Sequence, residues 1–260
     1  LVRTKIGRIF DADFQVLPSD PHLKSTRSRY DRGSMSSLVN PGFRRPEGAA
    51  MPGMHGGSSG ERELQEQYGT QDRAQRFYDD QMLDRLNPTM IDFIGRMDMA
   101  FIATADKNGE CDSSFRAGPP GFLHVIDEHT IAYPEYRGNG VMASLGNILE
   151  NAHVGILLLD FVRDLIGLHI NGSAHIVADH ALRNVVSDLP VNHKGRVAEH
   201  WVVVRVEEAY IHCRKHIPHL VPAPREQREW GTDNVRAKGG DYFGAKAEKN
   251  ELAESLLSGS

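Results

Sequence analysis

The 260-residue chain carries 30 Lys and Arg against 35 Asp and Glu, a formal charge of -5, so no global field draws it to nucleic acid or anionic lipid. Its hydrophobic content of 40% is enough for one ordinary domain with extensions, or at most two small ones. The two cysteines, Cys111 and Cys213, are far apart and form no CxxC, which argues against a disulfide framework or a structural zinc site and for a reducing compartment.

Residues 1–60 are rich in Gly, Pro, Ser and Arg, with scattered apolar positions that cannot offset their ordering entropy, and they read as a mostly disordered arm. Its Arg and Lys are read as a solvated tail rather than a nucleic-acid or membrane arm. Met54, just before GGSSG, is a candidate start of a shorter product. No apolar core of a signal peptide is found, and the longest apolar run, residues 154–159, falls far short of the roughly 20 residues that span a bilayer. A cytoplasmic location is the expectation.

From residue 61 the pattern turns helical. Ala74, Tyr78, Met82 and Leu86 repeat at four-residue spacing, with Phe77 and Leu83 widening the stripe, which predicts a helix over 61–86. Asn87 followed by Pro88 reads as an N-cap opening a second short helix to about Arg96, with Ile91 and Ile94 on its apolar face. Residues 99–105, MAFIATA, read as a strand. The Asn-Gly pair of DKNG then turns the chain back antiparallel through residues 111–117. AGPPG breaks that ladder, since two prolines supply no donors. Residues 122–126 and 130–133 form a second hairpin, 141–149 have helical spacing, and 154–160, 168–178 and 201–211 are three further strands. About seven strands with few helices and short turns indicate a mainly β, antiparallel barrel rather than a doubly wound sheet. The polar stretch 218–260 offers Trp230, Tyr242 and Phe243 as docking points and a weak final helix.

The chemistry concentrates in residues 113–151. Arg116 lies on the strand side of a basic Gly-rich loop that holds Arg137, Gly138, Asn139 and Gly140, and residues 144–147 follow at a helix start. Two guanidiniums, a hydroxyl and a run of backbone amides are the components of a phosphate clamp. Taken singly, Arg116 reads as an edge-strand charge and Arg137 as a solvated loop residue; their joint placement around the glycines favours the clamp. Ser144 equally reads as a helix cap, and Asn147 as bonding its own backbone. His212, Cys213, His216 and His219 invite a metal or haem reading, but Pro218 breaks the helical spacing and no HExxH appears, so no metal is expected.

The strings FIATADKNGECDSSFRAGPPGF, IAYPEYRGNG and SLGNILENAHVGILLLDF, in this order, resemble the pyridoxamine 5'-phosphate oxidase-like FMN-binding split-barrel family, in particular its branch of predicted flavin-nucleotide-binding proteins. The resemblance covers residues 61–217. It implies an antiparallel six-stranded split β-barrel, a homodimer, and FMN held between the subunits. It places the FMN phosphate on Arg116, Arg137 and Ser144, backbone groups beside Ser114, Phe115 and Pro134 along the flavin ring, and amide contacts on Asn139 and Asn147. The substrate-phosphate ligands of the true oxidase are missing near the C-terminus, so the implied activity is flavin-dependent oxidation or reduction of an unidentified small molecule, with the catalytic residues unknown. Within the same resemblance a deazaflavin or haem can replace FMN, and a flavin carrier or redox-sensing module without turnover is the alternative of another class.

Overall fold

The computed structural model describes residues 57–193, 196–224, 234, 236 and 239–258; the basic arm, Met54 and Trp230 lie outside them. The predicted helix over 61–86 divides into α1 (Ser59–Tyr68) and α2 (Gln71–Gln81), followed by the two-residue strand β1 (Met82–Leu83). The break lies at Gly69, whose left-handed φ of 63° ends α1 with its N–H on the carbonyls of Gln65 and Glu66. Tyr78 of α2 donates to Glu61 Oε2 at 2.7 Å and accepts from Gln65 Nε2 at 2.8 Å, so the hairpin of helices is pinned across the break. Of the expected stripe, Tyr78, Met82 and Leu86 are buried.

α3 (Pro88–Arg96) begins as its sequence dictates, with Asn87 Oδ1 accepting the N–H of Met90 at 2.9 Å. Its buried residues are Phe93 and Ile94, with Ile91 only half-buried. β2 (Met99–Ala105) and β3 (Cys111–Ala117) form the expected hairpin. Asp106 Oδ1 accepts the N–H groups of Asn108 and Glu110 at 2.8 Å each, and Gly109 takes the φ of 84° that closes the turn.

The second hairpin pairs β4 (His124–Asp127) with β5 (Thr130–Tyr136), which runs three residues beyond its predicted end. Pro134 is accommodated within β5 opposite Trp201. Then come α4 (Ala143–Glu150), β6 (His153–Leu159), β7 (Gly167–Ala178), the unpredicted short helix α5 (Asp179–Arg183) and β8 (Ala198–His212). A final helix, α6, spans Ala245–Ser258.

All eight strands belong to one antiparallel sheet in the order β3-β2-β6-β7-β8-β5-β4, with β1 also on β8. Six long strands, β2, β3 and β5 to β8, make an antiparallel six-stranded split β-barrel, left open between the β3 and β4 ends of the ladder. Ile102, Ile131, Tyr133, Ile156, Leu158, Ile170, Val202 and Val204 fill its interior, with Phe93 and Ile94 of α3 and Ile148 of α4 packed on them. Trp201 and Val203 point the other way, into a second cluster with Leu182, Val186 and Leu189. Both faces of β8 are therefore buried, which is why WVVV is continuous rather than alternating.

Arg96, in the last turn of α3, ties that helix to the loop between β6 and β7. Its guanidinium donates to Asp160 Oδ2 at 2.7 Å and pairs with Asp164. Burial by itself would raise the Asp160 carboxyl, but the N–H groups of Arg163, Val162 and Asp164 and the Arg96 guanidinium hold it below its usual range. A carboxyl lowered in the folded state adds stability that is full above its unfolded value, near 4, and is lost as the pH falls through the folded one. Asp160→Asn is therefore expected to cost about 2 kcal/mol at neutral pH. The gap from wild type should close as the pH drops below about 4, read by denaturant unfolding at several pH values; a pH-independent gap would contradict the linkage.

Candidate cofactor-binding site

Strand alternation builds the site. On β3, Asp112, Ser114 and Arg116 share the less exposed face, while Cys111, Ser113 and Phe115 point outward. α4 brings Ser144, its second residue and 3% exposed, over that face. Ser114 Oγ lies 2.8 Å from Ser144 Oγ, and the two hydroxyls are 2.8 and 3.0 Å from Asp112 Oδ2. Two hydroxyl protons cannot fill three contacts, so one edge of this triangle holds no proton.

Arg116 is committed to a carboxylate. Its Nε and Nη2 donate to Glu135 Oε1 at 3.0 and 2.8 Å, and Nη2 also lies 3.5 Å from Ser144 Oγ. Its Nη1 reaches the Phe115 carbonyl at 3.3 Å. Asp112 and Glu135 were not among the residues expected from sequence. Period-two alternation from Arg116 through Ser114 is the signal that finds Asp112, and the same alternation on β5 puts Glu135 on the side of Ile131 and Tyr133.

Two residues before Glu135 on the same face of β5 lies a buried polar atom without a hydrogen-bond partner among the described residues. Tyr133 is fully buried, its hydroxyl makes no hydrogen bond among the described residues, and burial first, then the Glu135 charge, push its proton affinity well up against the opposing pull of Arg116. Met142 stands at the N-cap of α4 in a left-handed conformation, and no side chain caps the first-turn amides.

Among the expected residues, Ser114, Arg116 and Ser144 thus come together. Arg137, Gly138 and Asn139 lie in the exposed loop before α4, with Asn139 Oδ1 accepting the N–H of Val141 at 3.0 Å. Asn147 donates to Thr104 Oγ1 at 3.1 Å and pins α4 to β2. Pro134 is buried in β5, and Phe115, 56% exposed, packs against Phe101 at 5.6 Å between ring centroids. The histidines at the end of β8 are dispersed: His212 Nδ1 meets His169 Nε2 at 3.0 Å, and His219 meets the Val162 carbonyl at 2.9 Å. Among the described residues no group of three or more His, Cys, Asp or Glu side chains could hold a metal ion.

An antiparallel sheet of six long strands left open at its β3 and β4 ends, with helices packed on its interior, defines the split-barrel class of β proteins. The profile of the pyridoxamine 5'-phosphate oxidase family matches residues 86–213, which takes in β2 through β8. Over these residues the chain belongs to the pyridoxamine 5'-phosphate oxidase-like split-barrel family.

Similar solved structures include HupZ of Group A Streptococcus, with 23% identity over 48% of this chain and 93% of that one and a TM-score of 0.38. An FMN-binding protein of Syntrophomonas wolfei has 14% identity over 59% of this chain and 97% of that one, with a TM-score of 0.32. HutZ, a haem storage protein of Vibrio cholerae, has 13% identity over 49% and 94%, also with a TM-score of 0.32. No curated protein matches the chain. No helix among the described residues is long and apolar enough to cross a membrane.

Proposed function

We propose that this protein binds FMN at the mouth formed by β3, β5 and α4 and works as a flavin-dependent oxidoreductase on a small molecule. The observation that carries this reading is the convergence of Arg116, Ser114 and Ser144 at the uncapped start of α4. The FMN phosphate carries close to two negative charges near neutral pH, and a guanidinium, hydroxyls and helix amides are the donors it needs. Arg137 and Gly138 lie in the loop leading into the same helix, within the stretch that would fold over the phosphate. The donor set fits the group, with one condition: Glu135 already occupies an edge of Arg116 and has to yield it.

Bound flavin supplies the electron chemistry itself. The chain's residues bind and orient it: Arg116 neutralises charge, Ser144 and Ser114 donate or accept hydroxyl hydrogen bonds, Asn147 keeps α4 seated, and the buried wall of β5 limits water. We further propose a homodimer, supported by the exposed ring pair Phe101 and Phe115 beside the edge strand β3 and by exposed Val141, Met142 and Leu149 around α4.

Purified protein is expected to absorb as a flavoprotein and to release FMN on denaturation; a colourless protein that takes up no added FMN would overturn the reading. Haem or a deazaflavin would declare itself in the same spectrum. Anaerobic mixing with NADH or NADPH should bleach the flavin of an oxidoreductase that uses a nicotinamide donor, whereas a spectrum inert to a panel of donors favours a carrier or sensor. Light scattering should give twice the 28.9 kDa chain mass, and a monomer would refute the dimer.

A further inference from the structure

We infer that Glu135 is an exchangeable counter-ion, which holds Arg116 until an anion takes the guanidinium and then turns to accept a hydrogen bond from the Tyr133 hydroxyl. The inference rests on the phosphate-binding reading of this site and names the residues that would regulate it.

The starting position is explicit. Glu135 takes the Nε and Nη2 of Arg116 through one oxygen, Oε1, and the side chains of the pair are only 14% and 24% exposed. Asp112, linked to Arg116 through Ser144, brings a second carboxylate close to this guanidinium. A phosphate dianion cannot simply be added, because it would meet Glu135 at the same guanidinium edge, and like charges in a partly dry site repel strongly. The carboxylate has to move, and as a half-buried acceptor it needs a donor where it goes.

Tyr133 is that donor. It lies two residues from Glu135 on the same face of β5, roughly 6.6 Å away along the strand. Its hydroxyl is buried and lacks a partner among the described residues, an arrangement that folded proteins keep rare. Both Glu135 and Arg116 act on it electrostatically, so it lies within the field of the pair. Burial keeps the phenol protonated and thus able to donate. No proton is transferred; one hydrogen bond replaces two, and the guanidinium edge passes to the anion.

The exchange is tested by measuring FMN and inorganic phosphate affinity for wild type, Tyr133→Phe, Glu135→Gln and the double variant. Glu135→Gln is expected to tighten both ligands roughly tenfold, and Tyr133→Phe to weaken both roughly tenfold, with the tyrosine effect largely lost when Glu135→Gln is already present. Thermal stability of Tyr133→Phe should match or exceed wild type, because the change deletes an unpartnered hydroxyl, and this separates lost affinity from lost folding. Equal affinity of Tyr133→Phe and wild type overturns the exchange, as does an equal effect in both backgrounds. If wild type takes up no FMN, the flavin reading fails while the phosphate series still decides: the same ranking sustains the exchange, and equal or absent phosphate binding in all four proteins overturns it.

Discussion

Replacing Arg116 by alanine is expected to lower FMN affinity roughly 100-fold, the effect of removing a charge-assisted, fork-shaped contact to a dianion. The loss has two parts. The guanidinium no longer meets the phosphate, and Glu135, 14% exposed in its side chain, is left without its counter-ion and makes the site repel an anion. Arg116→Lys restores the charge but not the planar fork, so it should fall between alanine and wild type. Arg137→Ala, in the exposed loop, should cost less than Arg116→Ala, since the charge of an exposed side chain is screened. The measurement is a fluorescence titration of FMN against apoprotein. If Arg116→Ala binds as tightly as wild type, the phosphate lies elsewhere.

The barrel was legible in the sequence because its signals are local. MAFIATA, the Asn-Gly turn after it and the proline pair of AGPPG each specify backbone behaviour through the residues themselves, and the hairpin of β2 and β3 follows within the predicted bounds. Asn87-Pro88 is equally local, a side-chain cap and a fixed φ at the start of α3. The longer errors come from competing signals. The apolar stripe from Ala74 to Leu86 carries a helical period, but Gly69 ends one helix before it and β8 captures Met82 and Leu83 as a strand. A neighbouring strand edge can override a helical period, and no window of sequence contains that neighbour.

The site was legible in its donors and hidden in its acceptors. Arg116 and Ser144 stand out by residue type as candidate phosphate ligands, whereas Asp112 and Glu135 look like ordinary surface carboxylates until β3, β5 and α4 bring them within 3.0 Å of those same groups. Of the 13 histidines in the chain, the pair His169 and His212 illustrates the same limit. They lie on adjacent strands, in contact at 3.0 Å, and burial first, then the neighbouring ring, lowers His169 and favours its neutral form.

Trp201→Ala is expected to be the most damaging single change to stability, costing about 3–5 kcal/mol as a large cavity opens. Trp201 is 1% exposed and lies under α5, packed with Leu182, Val186 and Leu189 in the second core. Its indole N–H donates to Asp179 Oδ1 at 2.8 Å, and Arg183 both pairs with Asp179 and lies 6.0 Å over the ring. This one side chain fastens the unpredicted helix to β8. The midpoint of thermal unfolding should fall by roughly 10 °C, given the usual shift per kcal/mol for a domain of this size. Trp201→Phe keeps most of the volume and loses the bond to Asp179, which retains Arg183, so about 1–2 kcal/mol is expected. That milder variant also separates the two faces of the sheet. Trp201 faces away from the barrel interior, while Arg116 and Glu135 lie at the opposite side of β5. Trp201→Phe should therefore melt earlier yet bind FMN as wild type does. A large loss of flavin affinity in Trp201→Phe would mean that the second core sets the geometry of the site, through the pairing of Trp201 with Pro134 in β5.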